Sequence, residues 1–244
     1  MLLRSSLLDA LPGVAAAFSQ RTGGVSAEPY GSLNLGRSTQ DAPEAVDENR
    51  RRFFGALGFT PEQAAIAGQV HSADVAMVDA PGLYVGTDGL VTATPGLLLC
   101  ISAADCAAVL FADAEARVVG ACHAGWRGCV GGIVGETVRQ MEALGADGAR
   151  LRAFVSPCIS QAVFEVGEEV AARFDAAFVH PAQGGKAHVD LKGQLRAQLL
   201  AAGLDAAHVD VSNDCTVLMP HAYFSHRASG GTTGRMMGVI GLRP

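Results

Sequence analysis

The sequence contains no Cys-x-x-Cys pair, no run of lysines and arginines longer than three residues, no His-x-His pair and a single tryptophan. Each absence removes a class of protein. With no long basic run and a formal net charge of −6, the chain is not expected to offer a face for a nucleic-acid backbone. DNA and RNA are therefore not expected partners, although a few local arginines would suffice for a small polyanion. The six cysteines, Cys100, Cys106, Cys122, Cys129, Cys158 and Cys215, stand singly, several of them inside apolar runs. They read as buried thiols and not as a disulfide framework. The longest apolar stretch, residues 96–112, is interrupted by Asp105 and falls short of the ~18 apolar residues of a membrane span. Near the start, Arg4, Asp9 and Pro12 interrupt any signal-like run. These features predict a cytoplasmic protein without a membrane segment.

What is present is apolar material: 49% of the 244 residues are hydrophobic and 17% charged, enough for a substantial core. No repeat or low-complexity linker divides the chain, which predicts a single domain over residues 1–244. A short strand at 14–18 precedes a Gly/Ser/Asn loop, RTGGVSAEPYGSLNLG. A helix is expected from Asp41 as N-cap, with Glu44 closing a capping box, to about Leu57. Thr60-Pro61-Glu62-Gln63 opens a helical turn. The pattern then becomes β-rich: AAIAGQV, VAMVDA, LLLCIS, AAVLFAD and RVVGACH are short apolar runs bounded by turn residues. Ile133, Val134, Thr137, Val138, Met141 and Leu144 form the stripe of a helix ended by Gly145. LRAFVSP and MMGVIGL read as strands, FEVGEEVAARF and VDLKGQLRAQLLAAG as helices. A β-rich middle with helices outside predicts a mixed α/β fold, sheet on sheet.

The stretch VVGACHAGWRG places His123 at the end of an apolar strand, followed by glycines and a helix start. Glycines there let a ligand approach the backbone closely. His71 ends another apolar strand and Cys106 begins a third, directly after Asp105. Two imidazoles and a thiolate make a three-ligand set for zinc with a fourth position left to water. The same residues without a metal would form a Cys–His nucleophile pair, and spacing alone does not separate the two. Asp105 adjoins Cys106 but, as a strand neighbour, would point to the opposite face, so it reads as a structural hydrogen-bonder and not as a proton shuttle. Arg127, at a Gly-rich helix start, and Arg227, in FSHR, are the candidate phosphate ligands. Asn34, in SLNLG, is a candidate ribose ligand or a brace for its own turn. Trp126 reads as a purine-stacking face or a packing anchor. His180, His188, His208 and His221 carry no assignment.

DGLVTATPGLLLCISAADCAAVLF, VVGACHAGWRG, FEVGEEV, the GGVS…YGSLNLG loop and the ending NDCT…FSHR…GR…GVIGL resemble the YfiH family across most of the chain. This family, once labelled multicopper polyphenol oxidase or laccase-domain proteins, includes the mammalian purine enzyme FAMIN. The resemblance implies a layered α/β/β/α sandwich similar to the catalytic domain of cytotoxic necrotizing factor. It also implies a metal site at His71, Cys106 and His123. The implied activities are phosphorolysis of adenosine, inosine, guanosine and methylthioadenosine, and deamination of adenosine. The partners would be purine nucleosides and phosphate, and the cofactor Zn²⁺, with Cu²⁺ taken up in vitro. An alternative follows from relatives assigned to peptidoglycan editing, a metal-dependent amidase removing L-serine from a UDP-MurNAc precursor. A third is a metal-binding protein without catalysis. Three segments depart from the family pattern: SPCISQ stands where a GPxIGP turn is usual, Ala108 where a proline is common, and FSHR replaces FSYR. None removes a metal ligand. With seven histidines and no His-x-His pair, the oxidase label does not match the composition.

Overall fold

The computed structural model describes all residues, 1–244. Two six-stranded sheets carry the fold. In the first, the strand order is β1 (Leu2–Leu3), β2 (Val14–Ser19), β15 (Met236–Leu242), β7 (Leu98–Ala103), β3 (Ala64–Gly68) and β5 (Gly82–Val85). In the second it is β14 (Val209–Val211), β10 (Arg152–Val155), β8 (Ala107–Asp113), β9 (Val118–Ala124), β6 (Gly89–Thr92) and β4 (Val75–Met77). A small third sheet joins β11 (Glu165–Gly167), β13 (Lys186–Val189) and β12 (Val179–Pro181). The helices are α1 (Ser6–Asp9), α2 (Pro43–Gly55), α3 (Trp126–Val130), α4 (Ile133–Ala143), α5 (Glu168–Ala171) and α6 (Leu191–Ala201).

The layering follows from strand alternation. Successive side chains leave opposite faces of a strand, and here both faces are buried. In β7, Leu99 and Ile101 enter the core between the sheets, while Leu98 and Cys100 pack beneath Phe53 and Phe54 of α2. In β8, Ala108, Leu110 and Ala112 face the first sheet. Val109 and Phe111 face Ile133, Val138 and Met141 of α4 and Leu195 of α6. The result is helix, sheet, sheet, helix. Strands buried on both faces read as continuous apolar runs, which is why they stand out in the sequence.

Two local expectations are corrected. Asp41 does not cap α2; the N-cap is Ala42, because the Asp41 carboxylate instead accepts from Ser26 Oγ and Asn34 Nδ2. FEVGEEVAARF is not one helix. Its first part is β11, paired with β13, and only α5 is helical, because pairing with a distant strand overrides local pattern. The Thr60–Gln63 capping box is present.

Candidate metal centre and cavity

Three strand ends converge on one spot. β8 and β9 pair from Ala107↔Ala124 to Asp113↔Val118, so Cys106, just before β8, meets the end of β9 that carries His123. β6 pairs with β9 at Gly89↔Cys122, which sets Asp88 opposite His123. β3 runs out of the other sheet to deliver His71. The donor atoms of His71, Cys106 and His123 all lie within 4.8 Å of one another. The two imidazole rings stand edge to face at 4.9 Å between centroids.

Asp88 is the hub that sequence reasoning missed. Fully buried, it accepts at its carboxylate from the backbone N–H groups of Val70, His71 and Ser72 and from the Ser72 hydroxyl. It also meets His123 Nδ1 at 2.8 Å, and its carbonyl accepts from the His123 N–H. Burial alone would raise its pKa, but the hydrogen bonds from His123 and the loop amides hold it well below the usual carboxylate range. An ionised Asp88 fixes a proton of His123 on Nδ1 and leaves Nε2 as the ring nitrogen for a metal to take, the carboxylate–histidine arrangement that orients metal ligands. The one signal in the sequence was the Asp-Gly pair opening DGLVTATPG.

The backbone is bent to serve these side chains. His71 has φ 64° and Asp105 φ 85°, left-handed conformations uncommon outside glycine that cluster at functional sites. Cys106 lies where the chain crosses from β7 in one sheet to β8 in the other. A Cβ on Gly125 would stand 2.8 Å from Cys106 Sγ, so glycine there leaves the sulfur its place. Burial opposes ionisation of Cys106, yet the His123 charge and hydrogen bonds from His123 and His71 bring its thiol down to about 6. Burial likewise opposes charge on His123, and Cys106 together with Asp88 raises it to about 9. A nucleophile pair needs one imidazole beside the thiolate. The second imidazole, held in place through a positive-φ backbone, is what a three-donor metal set requires, and the donor chemistry fits a borderline-soft divalent ion.

The cluster opens into a cavity of about 820 Å³, within the range of small-molecule sites. Trp126, Phe164 and Leu83 supply apolar wall, and Arg50, Arg227 and Arg235 supply charge. Arg227 lines the cavity as expected. Its backbone N–H donates to Asp105 Oδ2, its Nη1 to the Glu165 carbonyl, and its guanidinium lies 5.8 Å from the Phe164 ring centre. Arg127 does not line it. Its exposed guanidinium lies over the Trp126 ring at 4.3 Å, because helix α3 turns it outward, away from the wall. Asn34 is also displaced from the candidate set. It is fully buried, accepts from the N–H groups of Gly36 and Arg235, and donates to Thr39 and Asp41, so its amide is saturated by its own loop and the Arg235 backbone. Asp105 receives the Thr216 hydroxyl at 2.6 Å and the Arg227 N–H, a structural hydrogen-bonder, although it sits in a turn and not on a strand. His226, Arg50 and Arg235 join the wall without having been singled out in the sequence.

The model of the family described as "Multi-copper polyphenol oxidoreductase laccase" matches residues 15–243. The chain belongs to this family. Among YfiH-family relatives, a Deinococcus radiodurans protein named purine nucleoside phosphorylase is 47% identical over 94% of this chain and 89% of its own length. A Streptomyces griseus protein, purine nucleoside phosphorylase ORF3, is 42% identical over 93% of each chain. The crystal structure of YlmD from Geobacillus stearothermophilus superposes with a TM-score of 0.92 at 32% identity, covering 100% of this chain and 96% of that one. The fold is thus the YfiH fold. All six cysteines are unpaired, and no helix is long and apolar enough to cross a membrane.

Proposed function

We propose that this protein is a cytoplasmic, single-domain (residues 1–244), zinc-dependent purine nucleoside phosphorylase that also deaminates adenosine. The observation that carries the reading is the His71–Cys106–His123 cluster at the wall of an 820 Å³ cavity, in a chain 47% identical to a protein named purine nucleoside phosphorylase. Zinc held by these three donors would supply Lewis-acid polarisation and activation of water near neutral pH.

The chain's own residues perform the rest. Phosphorolysis forms a bond from a phosphate oxygen to C1′ of the ribose and breaks the bond from C1′ to the purine nitrogen, whose electron pair leaves with the base. Phe164 and Trp126 offer flat apolar wall against which a purine packs. The arginines of the wall would stabilise the negative charge of an incoming phosphate, a mono- or dianion near neutral pH. Asp88 keeps His123 ionically and rotationally fixed throughout. Deamination replaces the 6-amino group of adenosine with a water oxygen and releases ammonia. Asp105 is not the proton carrier, since both of its oxygens are already engaged. The oxidase reading has little to work with: one three-donor cluster is what the fold assembles from seven histidines and six cysteines.

The test is mass spectrometry of products from purified protein and adenosine, with and without phosphate, beside a His123→Ala control. Inosine without phosphate, and free base with ribose-1-phosphate when it is added, are expected from the parent and absent from the control. Intact adenosine with zinc bound overturns the reading, and UDP-MurNAc-L-serine then becomes the substrate to try.

A further inference from the structure

Three consecutive arginines on α2 have different fates. Arg51 and Arg52 are exposed and both bind the Glu48 carboxylate. Arg50 turns inward, is 5% exposed and has no carboxylate partner. Its single hydrogen bond runs from Nε to the Leu35 carbonyl at 2.8 Å. Both Nη groups are left over, and Arg50 lines the cavity. A buried guanidinium without a counter-ion is costly, and burial does depress its pKa.

Arg235 comes to the same wall from the opposite side of the same residue. Its carbonyl accepts from the Leu35 N–H, and its side chain packs on Gly36, where a Cβ would stand 2.6 Å from Arg235 Cγ. Its Nη1 donates to the carbonyls of Thr233 and Gly234, leaving Nε and Nη2. It too lacks a carboxylate partner, and burial lowers its pKa while Asp105 and Cys106, within electrostatic reach, raise it. Each arginine therefore keeps one complete two-nitrogen edge free: Nη1/Nη2 on Arg50 and Nε/Nη2 on Arg235. Two such edges match the oxygens of a tetrahedral oxyanion in bidentate fashion. The other two arginines of the wall are exposed to solvent: Arg37 pairs with Asp47, and Arg227 donates its Nη1 to the Glu165 carbonyl. The sole carboxylate of the wall, Asp105, has both oxygens engaged.

We propose that Arg50 and Arg235, joined through Leu35, form the oxyanion site of the cavity and hold the inorganic phosphate that attacks the nucleoside. The role as co-substrate site rests on the phosphorylase reading; the oxyanion site itself does not.

The experiment is steady-state phosphorolysis of inosine at varied inorganic phosphate for Arg235→Gln, Arg50→Lys and, as a control on the same helix, Arg51→Gln. The first two raise the KM for phosphate by about tenfold or more, the size of a lost charge-assisted bidentate contact. The KM for inosine stays within about twofold, and Arg51→Gln changes neither. Thermal unfolding reports whether each variant folds. If Arg50→Lys does not, Arg235→Gln decides. An unchanged phosphate KM in folded Arg235→Gln overturns the assignment. Should the parent protein show no phosphorolysis, ³¹P NMR titration with inorganic phosphate separates the two ideas. Binding that is lost in Arg235→Gln keeps the oxyanion site and discards the phosphorylase reading; no binding to the parent discards the site. Binding of AMP but not of inorganic phosphate overturns the assignment to free phosphate.

Discussion

At the scale of single residues, the site depends on Asp88 more than on any ligand's own neighbours. Its carboxylate fixes the His123 ring and, through three backbone amides, the loop that carries His71. Asp88→Asn keeps the shape but removes the charge and offers an amide donor to a ring nitrogen that already donates. Metal affinity should fall by about 10–100-fold, the usual size of such a loss, as read by competition with a chelator. Cys106 yields a second expectation. In metal-stripped protein its thiol, brought down to about 6, is largely thiolate at neutral pH. Cys100, Cys122, Cys129 and Cys158 are pushed up to about 12 by burial. Because the thiolate is the reactive form, iodoacetamide should label Cys106 ahead of those four, with a rate rising through about pH 6 and then levelling. Added zinc should protect it. Peptide mapping by mass spectrometry checks both, and labelling that starts only above pH 8 would contradict the imidazole stabilisation described above.

Between elements, the sheet-on-sheet contact is set by what is missing. Gly238 on β15 faces Ala108 on β8, and a Cβ there would stand 2.5 Å from the Ala108 Cβ. The two sheets approach through this pair, directly beside the β8–β9 end that presents Cys106 and His123. Gly238→Val inserts a branched side chain into a contact with no space for it. Overpacking of this kind costs about 1–3 kcal/mol, measurable by urea denaturation. Metal binding should weaken with it, since the strand ends holding the donors must separate. Ala108 stands where the family resemblance leads one to expect proline. Its N–H accepts no substitute, because it donates to Ser156 Oγ, a bond that proline lacks the hydrogen to make. The serine that opens SPCISQ and the missing proline are thus one interaction, two departures in sequence that meet 48 residues apart.

For the whole molecule, Asp113 ties the second sheet to the link between α4 and β10. Almost fully buried, it accepts from the N–H groups of Glu115, Ala116 and Asp147 and pairs with Arg150. Burial would raise its pKa, but these donors hold it lower than usual. A carboxyl whose folded pKa is depressed contributes stability above its unfolded value, near 3.9, and loses it as the pH falls through the folded one. Asp113→Asn should therefore destabilise the protein at about pH 7, and the gap to the parent should close as the pH falls below about 4. Thermal midpoints across that range test this; a gap independent of pH would mean that shape and not charge is what Asp113 supplies.

Much of this could be read from the chain before any fold was known. Strands buried on both faces declare themselves as unbroken apolar runs, so β7, β8, β9 and β15 were legible, as was the apolar stripe of α4. His71, Cys106 and His123 were legible as a candidate set, but their residue types left a metal site and a Cys–His nucleophile pair open, and the family resemblance favoured the metal. The short strands of the third sheet were not: β11 is stabilised by pairing with β13, about twenty residues away, and nothing local records that partner. Nor was the choice among polar residues. Arg127, Arg50 and Arg235 are indistinguishable by type, and only the packing turns Arg127 outward while Arg50 and Arg235 converge on Leu35 from opposite sides; packing likewise makes Asn34 a saturated brace. Composition and periodicity determined the layers, because burial is a property of residue type, while the donor set came from residue chemistry together with the family resemblance. Tertiary structure decided which charges face the cavity and that Asp88 governs the donors, because direction and partnership exist only once distant strands are in register.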